Sequence, residues 1–365
     1  MSDSRLPVTV VTGFLSSGKT TLLRHLLSEA HQRLAVVVNE FGTVGLDGDL
    51  LKTCGFCPDD EVDERIVELN NGCLCCTVQE DFLPAMEALL LRSNQLDGII
   101  IETSGLALPK PLLQALNWPA IRSKVFINGV VTLVDGYALS NGSPVGDLKS
   151  INEQITNDNS IDHLTPINDL FRDQLISADL VLISRSDLLS AKSFSLVRDE
   201  VKKQGNSITN ILPISNGKIE PSVILGLCKE QNNISRSDQN DHDHDHDHDH
   251  DHDHDHDHDH DHDHDHDHDH VDVISEHLRF EFPIDKDLLK EILVKLVPEY
   301  QILRIKGRCW IEGKALPLQI QMVGCRFNSW FESANDDSWK PSKAGIDLVS
   351  LSLKGGVEKA FESSF

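Results

Sequence analysis

The octet Gly13-Phe14-Leu15-Ser16-Ser17-Gly18-Lys19-Thr20 constrains this chain more than any other stretch. It fits the phosphate-binding loop pattern G-x-x-x-x-G-K-[ST]. Val8-Thr9-Val10-Val11-Thr12 before it is a β-branched run suited to a strand, and residues 21–27 after it are apolar at helical spacing. A glycine turn between a strand and a helix lets backbone N–H groups face inward onto phosphate oxygens, and the helix start favours anions. Gly13, Ser16, Ser17, Gly18, Lys19, Thr20 and Thr21 are therefore the expected phosphate cradle. Lys19 is expected to reach the β- and γ-phosphates and the Thr20 hydroxyl to ligate Mg²⁺.

Apolar strand candidates recur along the first half. They are Leu34–Val38, Arg65–Leu69, Asp97–Glu102, Val130–Asp135, Leu180–Ile183 and Ile211–Ile214. Helical stretches fall between several of them: 80–92, 171–178 and 194–203. Near-continuous Val/Ile/Leu strands alternating with helices predict a mostly parallel α/β sheet, whose ligands bind at the strand C-termini. Residues 140–166 are polar and turn-rich, which suggests an insertion. Residues 226–272 lose their apolar content and form a predicted linker. A smaller α+β domain follows, with strands at 278–282, 301–306, 309–312 and 318–323 and a helix at 288–296. The expected division is 1–225, 226–272 and 273–365.

The formal net charge of the 365-residue chain is −26, which argues against nucleic acid or an anionic membrane as the main partner. Fifteen consecutive Asp-His pairs from Asp241 to His270 carry fifteen of those charges, leaving −11 for the remainder. The tract cannot bury a core and repels itself, so disorder is expected. Its imidazoles are good ligands for Zn²⁺, Co²⁺ or Ni²⁺, although an expanded spacer would have the same composition. The N-terminus shows no signal peptide and no run is long enough to span a membrane, so a cytoplasmic protein is expected.

Cys73-Leu74-Cys75-Cys76 places three thiols within four residues after Gly72. If a turn draws them together, three thiolates suit Zn²⁺ or another borderline-soft cation and leave a fourth position open, as transfer requires. The alternative is buried free cysteines, which pack well. Cys54 and Cys57 are nearby in sequence and are either further ligands or loop thiols. Glu102-Thr103-Ser104-Gly105 ends a strand: Glu102 is a candidate Mg²⁺ ligand, and Gly105 offers a bare amide to the γ-phosphate. Glu40 is a second acidic candidate, for Mg²⁺ or for positioning the attacking water. Asp187 either accepts two hydrogen bonds from the guanine edge or caps the helix that follows.

These residues together resemble the CobW family of metal-chaperone GTPases related to UreG and HypB. The resemblance is carried by Gly13–Thr20, Asn39-Glu40-Phe41-Gly42, Gly72–Thr77, and Glu102-Thr103-Ser104-Gly105-Leu106 with Pro109. It spans residues 6–215 and extends more loosely over 277–325. It implies a P-loop NTPase domain of the SIMIBI type, a small C-terminal α+β domain, GTP with Mg²⁺, a Zn²⁺ or Co²⁺ cargo and a client metalloprotein, with room for a homodimer. Ser184 and Arg185 replace the first two residues of the family's Asn-Lys-x-Asp guanine motif. An arginine there can still stack on a base. The stretch 348–365 matches the family poorly. Two other readings use the same residues: a metal buffer dominated by the Asp-His tract, and a small-molecule kinase, which leaves the thiols without a role.

Overall fold

The computed structural model describes residues 5–38, 66–68, 82–144, 167–226, 271–334 and 338–364. The first half builds a seven-stranded sheet. Its strands are β1 (Leu6–Gly13), β2 (Leu34–Val38), β3 (Ile66–Glu68), β4 (Gly98–Glu102), β5 (Val125–Asp135), β6 (Leu180–Ser184) and β7 (Asn210–Pro213). They lie side by side as β3-β2-β4-β1-β5-β6-β7, and every neighbouring pair is parallel. The phosphate-loop strand β1 therefore sits centrally, with β4 and β5 as its neighbours.

Helices cover both faces, which is why the strands read as unbroken apolar runs. Along β4, Ile99 and Ile101 enter a core with Val8, Val10, Met86 and Leu89, while Ile100 enters the opposite core with Leu22, Leu23 and Leu26. The helices of this half are α1 (Lys19–Glu29), α2 (Leu83–Leu91), α3 (Pro109–Ala115), α4 (Pro119–Arg122), α5 (Gly136–Ser140), α6 (Ile167–Ser177), α7 (Ala191–Gln204) and α8 (Pro221–Leu225). Prolines at the first turns of α2, α3, α4 and α8 set where those helices begin.

The second half is a five-stranded antiparallel sheet. Its strands are β8 (Ile274–Phe280), β9 (Ile302–Trp310), β10 (Leu318–Val323), β11 (Arg326–Phe331) and β12 (Gly345–Ser352), ordered β11-β10-β9-β12-β8. Helices α9 (Lys286–Tyr300) and α10 (Val357–Glu362) close one face over Leu278, Ile305, Cys309, Ile320 and Leu348. One expectation is corrected here. The strands predicted at 301–306 and 309–312 are one continuous strand, β9; Gly307 passes so close to β12 that a Cβ on it would stand 2.1 Å from Asp347 O. The stretch 348–365, which matches the resemblance poorly, is integral: β12 pairs with both β9 and β8, and Phe361 of α10 is fully buried.

The open face of this second sheet docks against the N-terminal ends of the parallel strands, the pole opposite the phosphate loop. Phe126 packs on Trp330 with ring centroids 4.8 Å apart. Arg326 bonds Asp179 at 2.6 Å and Asn328 donates to Ile127 O at 3.0 Å. Arg304 of β9 is the centre of the seam. It is 4% exposed and donates to Val223 O, Ile224 O and Asn128 Oδ1. Burial lowers its pKa to about 9, opposed by Asp179. Burial likewise raises the Asp179 pKa, against the lowering effect of Arg326. The guanidinium thus stays in a dry seam because each direction it points offers an oxygen.

Substituting Arg304→Met should remove the guanidinium donor from all three oxygens and leave Ile224 O only the 3.5 Å bond from Asn128 Nδ2. The expected loss is about 3 kcal/mol of unfolding free energy, from hydrogen bonds to a charged group. Urea unfolding checks it; an unchanged midpoint would show that the seam contributes nothing to stability.

Candidate nucleotide site

The phosphate loop takes its shape from close backbone packing. A Cβ at Gly13 would stand 2.3 Å from Leu133 O of β5, so only glycine lets the loop leave β1 at this point. Gly18, at φ +98°, caps α1 from the left-handed region. Lys19 opens α1 and is buried; its Nζ donates to Gly13 O at 3.0 Å and Phe14 O at 3.1 Å. Ser17 Oγ is buried with no hydrogen-bond partner among the described residues. Thr20 is half-buried, while Ser16 and Thr21 are exposed. An orphaned hydroxyl beside a buried ammonium in a loop of this shape fits a phosphate oxygen as the missing partner.

Glu102 ends β4 on the same rung as Val11 of β1 and Val38 of β2 and is 3% exposed. The turn after it lies directly on the phosphate loop. Thr103 N donates to Val11 O at 2.9 Å, and Thr103 Oγ1 to Thr12 Oγ1 at 2.8 Å. A Cβ at Gly105 would stand 2.5 Å from Leu15 N. Turn and loop therefore meet backbone to backbone. A buried carboxylate at a strand end beside a threonine hydroxyl is also the donor set that a hard Mg²⁺ ion prefers.

The loop expected to read the base follows β6, and the end of β7 lies beside it. Asp187 lies exposed in the short 3-10 turn Ser186–Leu188, and the cap of α7 is Ser190, which accepts from Ser193 N at 3.1 Å. The helix-cap alternative for Asp187 is thereby removed. Ser184 sits behind Gly18, with its Cβ 3.6 Å from where a Gly18 Cβ would be. Arg185, at φ 54°, points Nη1 at Asp135 Oδ2, 2.5 Å away. Asp135 is buried and also caps α5 through Ala138 N at 3.0 Å. Gly217, at φ +72°, packs on the backbone of Thr21, so the loop after β7 closes over the start of α1. Sequence reading assigned no role to Asp135 or to this loop; the Asn216-Gly217 turn was the available signal.

Glu40, Cys54, Cys57, Cys73, Cys75, Cys76 and the Asp-His tract lie outside the described residues. Among the described residues no group of three or more His, Cys, Asp or Glu side chains is arranged to hold a metal. Of the two described cysteines, burial pushes the Cys309 thiol up to about 12, which keeps it from serving as a thiolate. No described helix is long and apolar enough to cross a membrane.

A parallel sheet with a phosphate loop after its central strand and a buried acid at the end of the neighbouring strand defines a P-loop nucleotide hydrolase. Comparison with known proteins agrees and narrows the class. The family model of the CobW/HypB/UreG nucleotide-binding domain matches residues 7–213, and that of the cobalamin synthesis protein cobW C-terminal domain matches 273–351. The zinc chaperone CobW of Pseudomonas aeruginosa is 44% identical over 334 residues, covering 90% of this chain and 83% of that protein. The zinc chaperone CobW of Sinorhizobium sp is 38% identical over 367 residues, covering 100% of this chain and 97% of that one. Among solved structures, the Zn(II)-bound YjiA GTPase from E. coli aligns over 99% of both chains at 20% identity and a TM-score of 0.36. The chain belongs to the CobW/HypB/UreG family, and it is a GTPase.

Gly105→Ala should force the turn off the phosphate loop, because Leu15 N cannot retreat without moving the cradle. Affinity for a fluorescent GTP analogue should fall at least about tenfold, roughly 1.4 kcal/mol. Wild-type affinity in that variant would show that turn and loop are not in contact when nucleotide is bound.

Proposed function

We propose that this GTPase is a metallochaperone that binds a divalent metal, zinc first, at Cys73, Cys75 and Cys76 and delivers it to a client metalloprotein. Three relations support this reading. Relatives that align with nearly the whole chain are named zinc chaperones. The charge and composition of the chain suit metal cations rather than nucleic acid. The observation that carries the reading is the sheet order: Glu68 of β3, Val38 of β2 and Glu102 of β4 share one rung. Strand β3, five residues before the first of the three thiols in sequence, therefore ends at the level of the phosphate loop. With strands about 4.8 Å apart, β3 lies only about 14 Å from β1.

In this reading Gly13, Ser16, Ser17, Gly18, Lys19 and Thr21 hold the triphosphate, Gly105 presents its amide to the γ-phosphate and Asp187 reads guanine. Thr20 and Glu102 are the residues that would hold Mg²⁺, which supplies charge neutralisation to the phosphates. Glu40, two residues after the end of β2 in sequence, serves the attacking water. Binding of GTP orders the segment after β2 and draws the thiolates into one site; hydrolysis relaxes it and frees the metal. Coupling of this kind is reciprocal, so metal must tighten GTP binding by the same factor.

Calorimetry on a protein lacking Asp241–His270 tests the proposal. One tight Zn²⁺ should remain. Its affinity should rise with a non-hydrolysable GTP analogue and fall at least about a hundredfold in C75S/C76S, as expected when thiolate ligands are lost. Tighter Co²⁺ than Zn²⁺ would make cobalt the cargo. Loss of all metal with the tract would favour a buffer, and Zn²⁺ affinity indifferent to nucleotide would remove the chaperone cycle.

A further inference from the structure

Helix α6 touches both halves of the nucleotide end. Phe171 meets Phe14 of the phosphate loop with ring centroids 5.9 Å apart. Leu170, Phe171 and Leu175 share a buried cluster with Phe14 and with Leu106 of the turn after β4. Between them on the helix, Gln174 is 0% exposed. Its Nε2 donates to Gly105 O at 3.2 Å and to Ala107 O at 3.3 Å. These two acceptors fix the orientation of the amide, because the flipped form would set its oxygen against two carbonyl oxygens. Oε1 then points elsewhere, buried, with no hydrogen-bond partner among the described residues.

That orphaned oxygen is informative. A leucine or methionine would fill the same space without burying an unmade acceptor, so packing alone does not account for an amide here. What the amide adds is the pair of bonds to the turn. Gly105 and Ala107 are both buried, and the backbone of Gly105 lies against Leu15. Anything that fixes these two carbonyls also fixes the orientation of the backbone through Gly105.

We infer that Gln174 is a positioning residue for GTP hydrolysis. It grips the carbonyls of Gly105 and Ala107 so that the amide leading into Gly105 faces the phosphoryl group being transferred. The inference rests on the GTPase reading and deepens it. Among the described residues the Gln174 side chain bonds only the turn after β4, so its effect falls on the chemical step rather than on capture of the nucleotide.

Two variants separate this from a structural role. Q174L removes both donors at nearly constant volume. Its kcat should drop about tenfold, as for loss of a bond that serves mainly the transition state, with the KM for GTP within about twofold. Q174E has no donor when ionised but regains one O–H when protonated, and burial raises the pKa of such a carboxyl. The ratio of its kcat to that of the wild type should therefore climb as the medium is taken from about pH 8.5 to about pH 6. Wild-type kcat in Q174L overturns the inference. So does a Q174E ratio that stays flat with pH while both variants only melt earlier. A wild-type protein that hydrolyses no GTP would instead overturn the reading beneath it.

Discussion

The nucleotide end depends on backbones that approach with no side chain between them. Gly13 lies against Leu133 O on one flank of β1, and Gly105 lies against Leu15 N on the other. Neither contact tolerates a Cβ, so three neighbouring strand ends are locked to a common level. Lys19, Glu102 and Asp135 then occupy buried positions around one mouth although they come from separate parts of the chain. Lys19 is held there by two main-chain oxygens, which move less than side chains.

The opposite pole is equally fixed, by different chemistry. Arg304 threads from the second sheet into the base of the first and meets oxygens from α8 and β5. Asn128 completes the set by donating to Thr9 Oγ1 and Leu225 O. A seam filled by a charged group and its acceptors specifies one orientation more strictly than an apolar seam of equal area, because any slip leaves a donor or acceptor bare. The C-terminal domain thus stands on the foot of the nucleotide domain and leaves the mouth unobstructed.

Much of this was readable from residue order. The phosphate loop, the acid ending β4 and the apolar strand runs announce themselves through short-range pattern, and each lies where pattern placed it. Gly307 misled because a glycine inside a strand reads as a break, whereas here it permits a close crossing by β12. Strands β11 and β12 mix Asn, Ser, Asp and Trp with their apolar residues, so no clean period-2 alternation marks them in the sequence. Asp135, Arg185 and Gln174 acquire meaning only through partners 50 to 69 positions away in the chain. No local pattern reports a contact of that separation. The helix-cap alternative for Asp187 falls for a simpler reason: Ser190 is the acceptor that caps α7.

The resting position of Lys19 has a kinetic consequence. Its ammonium already holds two carbonyl oxygens of its own loop. An incoming triphosphate therefore exchanges one set of partners for another and finds the cradle already standing. Little ordering entropy remains to be spent at encounter. Capture should run close to the pace of diffusion, leaving the slow events of the cycle to whatever happens after docking.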